Sequence, residues 1–208
     1  MINLEHVVLA SPDQMEFVIE GMRNPMNSWG KSDSEKEFTN AKWPEEMFIL
    51  GENDHSLMQK LSDAGTEHRK YMRMIPVYVR ITAPLYWWKE FDTYKVGTVA
   101  NSCSTMHKIQ EKKFDRGDFS CEHLLNMANN DAGDALFLND ANNIRVDGDD
   151  LLGLTINVLN YYRGRYIETK LKQYWWQMIQ LLPSSYNQTR NVLSLIHISE
   201  PTRLALIS

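Results

Sequence analysis

The chain has 208 residues, of which 43% are hydrophobic and 24% are charged, and its formal net charge at pH 7 is −5. This length suggests one domain that can bury about 70% of its unfolded surface without a disulfide or a metal. The composition excludes a wholly disordered chain. The acidic balance argues against non-specific binding to nucleic acid, because that affinity comes mainly from cations meeting phosphates.

The cysteines and the N-terminal residues predict a cytoplasmic protein. Cys103 and Cys121 form no C-x-x-C motif, so they indicate neither a metal cage nor a disulfide framework. The first residues, MINLEHVVLASPDQ, lack the basic stretch of a secretory signal. No segment reaches the roughly 18 apolar residues of a membrane span, so no membrane partner is expected. The six histidines are scattered, and no metal site is predicted.

The first quarter of the chain predicts a strand, a helix and a polar excursion. Residues 2–9 have the apolar pattern of a strand. Ser11 and Pro12 predict the start of a helix that runs to about Met22, with an apolar face of Met15, Val18, Ile19 and Met22. Residues 30–46 are polar and are interpreted as a surface excursion.

The middle of the chain predicts a strand that leads into an aromatic helix. A short helix is expected at residues 54–64, ended by Gly65. Residues 75–82 alternate apolar and polar side chains, which indicates a strand with one buried face. Ala83-Pro84 then begins a helix that reads LYWWKEFDTYK, and Gly97 predicts a turn before the small polar run NSCST.

The second half predicts loops followed by one long helix. Residues 108–118 are highly charged and are expected to be solvated, and residues 121–129 predict a short helix. Residues 129–150 are rich in Asn and Asp, which favours turns. A calcium loop is disfavoured because Ile144 and Arg145 replace a ligand and the glycine of that motif. A helix is expected from about Asp150 to Leu182, with an apolar face of Leu152, Ile156, Leu159, Tyr162, Tyr166 and Trp176.

The last residues differ from the rest of the chain. The stretch SLIHISEPTRLALIS, residues 194–208, resembles translated sequencing-adaptor peptides at the ends of open reading frames. We therefore expect one domain over residues 1–193, a non-native tail over 194–208, and a natural C-terminus that is missing. The alternative is a natural apolar tail strand.

The segment from Arg80 to Ile109 is the best candidate for chemistry. Its small polar run offers hydroxyls and backbone N–H groups to a phosphate or a polar ring edge, and Lys95 and Lys108 flank it as cations. Its tryptophans offer flat surfaces for stacking. The alternative is that these tryptophans are core residues and that NSCST is only a loop. No phosphate-loop, dinucleotide-binding, zinc-protease or nucleophile-elbow motif is present.

This segment resembles the flavin-dependent thymidylate synthases. That family has a strand that ends in x-A-P, a helix that reads roughly I-F-x-x-R-Q-W-F-R-H-R, then x-x-S and N-E-x-S-x-R-Y. Residues 81–106 match these motifs in length without a gap. In the same register, His68 matches the histidine of a G-H-E turn, while Arg23 and Ser28 match an arginine and a serine after the first helix. Leu182-Pro183, Tyr186 and Thr189-Arg190 resemble an L-P-x-x-x-Y-T stretch.

The same register also shows departures from the family. The R-H-R motif reads Thr93-Tyr94-Lys95, and lysine lacks the bidentate fork of arginine. The family's glutamine is Glu90, which would repel a nearby phosphate. In the N-E-x-S-x-R run, the acid, the serine and the arginine become Asn101, Cys103 and Thr105.

The resemblance implies a mixed α/β (α+β) fold in which helices cover one sheet, and it implies a homotetramer with shared sites. It implies FAD as cofactor, dUMP as nucleotide, and NADPH and methylenetetrahydrofolate as co-substrates of a reductive methylation without a protein nucleophile. The implied flavin contacts are Thr93, Tyr94, Lys95, Thr98 and Asn101. The implied nucleotide contacts are Glu90, Asn101, Ser102, Cys103, Ser104 and Thr105. Arg80 would either help at this site or be an ordinary solvated residue.

A second hypothesis is a non-catalytic interaction or regulatory protein that keeps this fold but has lost the flavin site. The Thr93-Tyr94-Lys95 substitution favours it, whereas the ungapped match through NSCST favours a retained pocket. A third, helical nucleic-acid binding, is disfavoured by the net charge of −5.

Overall fold

The computed structural model describes residues 2–94, 96–125, 136–139 and 144–196, and it divides into two compact units. Unit 1 takes the described residues within 1–3, 81–93 and 102–190. Unit 2 takes those within 4–80, 94–101 and 191–208. Lys95, a predicted flavin contact, lies outside the described residues, as do residues 126–135 and 140–143 of the predicted short helix and of the Asn- and Asp-rich segment.

The structure confirms a mixed α/β fold. Its described helices are α1 Pro12–Arg23, α2 Glu52–Asp63, α3 Leu85–Phe91, α4 Thr105–Lys108, α5 Gly148–Thr169 and α6 Lys172–Leu181. Its described strands are β1 Asn3–Val8, β2 Glu35–Phe38, β3 Glu46–Ile49, β4 Pro76–Pro84, β5 Val99–Ser102, β6 Leu136–Asn139, β7 Ile144–Val146 and β8 Asn187–Leu195. None of these helices combines the length and the hydropathy needed to cross a membrane.

One four-stranded sheet and two hairpins account for these strands. The sheet has the order β1-β4-β8-β5. Strands β2 and β3 form an antiparallel pair, as do β6 and β7. Strand β2 lies within the polar excursion predicted for residues 30–46, and β3 begins at its last residue. Both strands are four residues long and mostly exposed, so the excursion is at the surface but is partly a hairpin.

The first helix forms as its sequence signals predict. The Ser11 side chain accepts a hydrogen bond from the Gln14 N–H, and the Gln14 side chain accepts one from the Ser11 N–H, which completes a capping box. Val18, Ile19 and Met22 are buried in unit 2 together with Tyr71 and Ile75. The apolar face predicted for α1 therefore supplies three of the five buried residues of this cluster.

The core of unit 1 corrects two predictions. Residues 108–118 were expected to be solvated, but Ile109 and Phe114 are buried there and pack with Phe119, Leu152, Leu159 and Met178. The predicted helix from Asp150 to Leu182 is two helices, because Lys170 adopts a left-handed conformation (φ 56°) and ends α5. Trp176, placed on the apolar face, is 45% exposed, while Trp175 packs against the core.

Two further corrections concern the end of the described chain and residues 121–125. Strand β8 runs from Asn187 to Leu195, where the sequence predicted only a polar turn up to Arg190. It is polar at most positions, yet Gln188, Val192 and Ser194 are buried. Residues 121–125 form no helix, although one was predicted from Cys121.

Candidate functional site

The aromatic part of α3 forms a buried cluster in unit 1. Trp87, Trp88 and Phe91 are each no more than 7% exposed. Their ring centroids lie 4.9 to 5.4 Å apart. These rings therefore pack as core residues rather than as an open stacking surface, which favours the structural alternative for the two tryptophans. The indole N–H of Trp87 is buried and has no hydrogen-bond partner among the described residues.

Arg190 is the cation next to this cluster, and its charge is already engaged. Its guanidinium lies 4.2 Å from the ring centroid of Trp88, donates to Asp92 Oδ1 at 2.7 Å and donates to Gln188 Oε1 at 2.9 Å. Cation–π and ion-pair contacts of this kind satisfy a guanidinium. The resemblance matches Arg190 to a family motif, but its contacts show a packing role.

Strand β8 holds the start of the predicted nucleotide segment in unit 1. The Trp88 indole N–H donates to the Gln188 carbonyl at 2.9 Å, and the Gln188 amide donates to the Cys103 carbonyl at 2.8 Å. The Cys103 N–H in turn donates to the Thr189 carbonyl at 3.0 Å. Cys103 is a free, exposed cysteine. Its backbone is thus fixed while its thiol is accessible.

The other predicted residues of unit 1 have mixed surroundings. The Thr93 hydroxyl donates to the Glu90 carbonyl at 2.8 Å, so it is occupied within its own turn. The Ser104 side chain accepts a hydrogen bond from the His107 N–H at 3.0 Å and caps α4, which begins at Thr105. The Glu90 and Ser102 side chains are exposed. The side-chain hydrogen bonds of Thr93 and Ser104 stay within their own turns, whereas Cys103 bonds to Gln188 of β8.

Unit 2 holds the predicted flavin contacts Tyr94, Thr98 and Asn101. Gly97 precedes Thr98 with φ 71°, in the left-handed region that favours glycine. A Cβ at Gly97 would lie 2.4 Å from Leu195 Cδ1, so this turn also needs the small residue for packing. The Thr98 hydroxyl is buried and finds no hydrogen-bond partner among the described residues. An unpaired buried hydroxyl is costly, and it is available to a bound ligand.

Asn101 lines a cavity of about 310 Å³ on one face of the unit 2 part of the sheet. Each strand contributes residues two positions apart, and such residues point to the same face of a sheet. They are His6 and Val8 of β1, Tyr78 and Arg80 of β4, Val99 and Asn101 of β5, and Asn191 and Leu193 of β8; the intervening Val79 and Val192 also line the cavity. Asn101 and Arg80 were candidates from the sequence, whereas His6, Tyr78 and Asn191 were not. The period-two pattern of β4 could have indicated Tyr78.

A second polar centre in unit 2 is built around Asp54, whose side chain is fully buried. Arg23 Nε donates to it at 2.6 Å, and the hydroxyls of Ser32 and Ser34 each donate at 2.7 Å. The backbone N–H groups of Asp33 and Ser34 donate at 3.2 and 3.1 Å. We call Arg23, Ser32, Asp33, Ser34 and Asp54 the Asp54 cluster. It fixes the loop after α1 to the start of α2.

The Asp54 cluster contains one residue that the family resemblance had singled out. Arg23 also approaches Ser28, at 3.4 Å to both its carbonyl and its hydroxyl. Burial by itself raises the pKa of the Asp54 carboxyl. Hydrogen bonds from Ser32, Ser34 and Arg23 and the charge of Arg23 lower it by a larger amount. The pKa therefore lies below its ordinary value. Arg23 is mainly the partner of this carboxylate.

The described residues have the fold of the flavin-dependent thymidylate synthases. One similar structure is the flavin dependent thymidylate synthase ThyX from Helicobacter pylori complexed with FAD and dUMP, with a TM-score of 0.54 and 14% identity over 93% of this chain and 78% of that chain. A second structure of that enzyme with FAD and dUMP has a TM-score of 0.55 and 13% identity over 95% and 79%.

A third similar structure is a UMP/dUMP methylase, PolB, from Streptomyces cacaoi bound with 5-Br dUMP. Its TM-score is 0.55 and its identity is 12%, over 95% of this chain and 74% of that chain. No family model and no curated protein sequence matches the chain. At these identities the similarity establishes the fold.

Proposed function

We propose that the protein is a divergent flavin-dependent thymidylate synthase-like enzyme that binds FAD and a pyrimidine nucleotide of the dUMP type for reductive methylation. The observation that carries the proposal is the buried, unpaired hydroxyl of Thr98. The sequence resemblance implies a flavin contact at this residue, and the described residues leave its hydroxyl without a partner. Solved structures of similar fold that are complexed with FAD and dUMP support these two ligands.

The described flavin contacts of unit 2 offer hydrogen-bonding groups to the polar edge of a flavin. Thr98 offers one donor and one acceptor, and Tyr94 and Asn101 belong to the same unit. When bound, FAD supplies the redox chemistry by taking hydride from NADPH, while methylenetetrahydrofolate donates the methylene carbon. The chain's own part is to hold and orient these molecules.

The Thr98→Val variant tests this proposal. Because valine has nearly the same shape without the hydroxyl, we expect the FAD dissociation constant to rise at least tenfold, about 1.4 kcal/mol. The free energy of unfolding should increase by about 1 kcal/mol, because an unpaired buried hydroxyl is removed. The measurements are a titration followed by visible flavin absorption, with and without dUMP, and a urea unfolding curve.

The control for this test is Thr155→Val on α5. The Thr155 hydroxyl is exposed and donates to the Leu151 carbonyl at 2.8 Å. This variant should leave FAD binding unchanged and the free energy of unfolding within about 0.5 kcal/mol of the wild type. Equal FAD affinity for wild type and Thr98→Val would remove Thr98 from the site. A wild-type chain that does not perturb the flavin spectrum at all would contradict the enzyme proposal.

A non-catalytic interaction or regulatory protein is the second candidate function. It is favoured by Arg190, whose guanidinium is occupied by Asp92, Gln188 and Trp88 and so is not available to a phosphate. A folded wild-type chain that ignores both FAD and dUMP would support this candidate. Under the enzyme proposal, the protein is also expected to be a cytoplasmic homotetramer with sites shared between subunits.

A further inference from the structure

We propose that another cavity of unit 2 binds a small organic cation, an alkylated ammonium group, to which Trp29 and Phe48 offer aromatic surface and Glu20 offers a negative charge. The cavity has a volume of about 210 Å³ and is lined by residues of α1, the loop after it and β3. We call it the Trp29 cavity. None of its lining residues is an implied flavin or nucleotide contact, so this inference goes beyond the proposed function and does not rest on it.

The charge of the Trp29 cavity comes from Glu20. The charged side chains in its wall are those of Glu16, Glu20 and Arg23. Arg23 is balanced by Asp54, whose Oδ1 accepts a hydrogen bond from its Nε at 2.6 Å. Glu16 is balanced by Lys36, whose Nζ lies 2.9 Å from Glu16 Oε2. The Glu20 side chain is exposed and has no partner among the described residues, so the cavity favours a cation over an anion.

Two aromatic rings form the apolar part of the cavity. Trp29 is half-exposed, and its indole N–H donates to Asn24 Oδ1 at 2.8 Å, which fixes the orientation of the ring. Phe48 is partly buried and packs against the buried cluster of α1. The face of an aromatic ring attracts a cation through its quadrupole, and tryptophan does so most strongly. Both rings are therefore held in place before a ligand binds.

The same walls distinguish an organic cation from a metal ion. A hard ion such as Ca²⁺ takes about six to eight oxygen ligands, whereas one unpaired carboxylate and two rings face this cavity. The described part of the chain contains no group of three or more His, Cys, Asp or Glu side chains that could hold a metal. An alkylated ammonium group combines a positive charge with apolar surface, so it matches both kinds of wall.

The size of the cavity restricts the ligand to a head group. About 210 Å³ lies below the roughly 300–1,000 Å³ of ordinary ligand pockets. Because Glu20 is exposed and Trp29 is half-exposed, the cavity opens to solvent, and the rest of a longer ligand can remain outside. An alkylated ammonium head group occurs both in free small molecules and in methylated lysine side chains, and the test separates these two sources.

The first experiment compares two probes of the same shape that differ in charge. Choline carries a trimethylammonium group, and 3,3-dimethyl-1-butanol has a carbon atom in place of that nitrogen. The full chain is titrated with each probe by calorimetry. We expect choline to bind at least tenfold more tightly, which corresponds to about 1.4 kcal/mol, because only choline brings a positive charge to Glu20 and to the ring faces.

A peptide with one trimethylated lysine, titrated in the same way, identifies the source of the head group. Binding at least tenfold tighter than that of choline assigns the cavity to a side chain of a protein partner. Binding no tighter than that of choline assigns it to a free small molecule. Either result retains the head group as the ligand, provided that choline itself binds more tightly than its neutral analogue.

The charge is tested by Glu20→Gln, which keeps the size of the side chain. We expect the dissociation constant of choline to rise at least tenfold and that of 3,3-dimethyl-1-butanol to change less than about twofold. The control is Glu37→Gln in β2, an exposed glutamate that is not in the cavity wall. It removes the same net charge and should leave both dissociation constants within about twofold of the wild type. Both variants should unfold at the urea concentration of the wild type, since both side chains are exposed.

The aromatic surface is tested by two variants of Trp29. Trp29→Leu keeps an apolar side chain without a ring, so we expect choline to bind at least fivefold more weakly and the neutral analogue to be affected by less than about twofold. Trp29→Phe restores a ring and should recover most of the affinity for choline. The control is Trp43→Leu, because Trp43 is 80% exposed and lies outside the cavity wall.

Three results would overturn the proposal. They are a wild-type chain that binds choline no better than 3,3-dimethyl-1-butanol, a Glu20→Gln variant that binds choline as the wild type does, and equal losses for Glu20→Gln and Glu37→Gln. None of these results affects the flavin titration of Thr98→Val, so the proposed function and the Trp29 cavity fail or succeed separately.

Discussion

Replacing Asp54 with alanine is expected to lower the free energy of unfolding by about 3 to 5 kcal/mol, because it leaves the buried guanidinium of Arg23 without its partner. It also removes the acceptor for the hydroxyls of Ser32 and Ser34. Urea unfolding monitored by circular dichroism measures the effect. The matched control is Asp63→Ala at the exposed end of the same helix, which should change stability by no more than about 0.5 kcal/mol.

The Asp54 cluster also predicts how stability depends on acid. Because the folded-state pKa of Asp54 is depressed, its contribution is complete above the unfolded-state pKa, near 3.8, and is lost as the pH falls through the folded-state pKa. The wild type should therefore lose stability below about pH 4 more steeply than Asp54→Asn, which cannot titrate there. Parallel stability curves for the two proteins between neutral and strongly acidic pH would contradict this account.

Replacing Trp88 with alanine is the second large expected effect, about 3 to 5 kcal/mol of unfolding free energy. Trp88 is 1% exposed, and its ring contacts Trp87, Phe91 and the Arg190 guanidinium. The variant leaves a cavity and an unpaired Gln188 carbonyl. Thermal and urea unfolding of the variant give the loss directly.

Two further tryptophan variants separate the causes of that loss. Trp43 is 80% exposed, so Trp43→Ala should change stability by no more than about 0.5 kcal/mol. Trp88→Phe keeps an aromatic ring but removes part of the ring volume and the indole N–H that bonds to Gln188, so a smaller loss of about 2 kcal/mol is expected. A loss for Trp88→Ala no larger than that for Trp43→Ala would mean that α3 is not packed as described.

Local signals in the sequence were sufficient to predict the elements whose conformation is set by residues close together in the chain. The Ser11-Pro12 start, the apolar face of α1 and the stop at Gly65 all depend on residues within a few positions of each other. The turn at Gly97 is similar, since its φ of 71° favours glycine in any surrounding. These predictions were confirmed because neighbouring residues decide the conformation.

Elements that depend on distant partners were missed or misread. Strand β8 is polar at most positions and becomes a strand through pairing with β4 and β5. Lys170 breaks a periodic helix through its backbone conformation, which no composition rule indicates. Residues 108–118 look solvated because their charges outnumber Ile109 and Phe114, the two residues that fix them to the core.

The residues of the candidate site also differ in whether the sequence alone could indicate them. Thr98 and Asn101 could be proposed from the sequence, because the family motif is contiguous there. His6, Tyr78 and Asn191 are brought to the cavity by three different strands, and a single sequence does not contain that register. The packing roles of Arg190 and Ser104 likewise become visible only through their partners.

The Asp54 cluster has a consequence for the time scale of motion. The amide hydrogens of Asp33 and Ser34 lie in a loop, where exchange with solvent deuterium is usually fast. Both donate to a carboxylate that three side chains also hold. Neither amide can open without disturbing the other four donors, so the two should exchange together and slowly, as amides in a central strand do. The loop is therefore expected to behave kinetically as part of the core of unit 2.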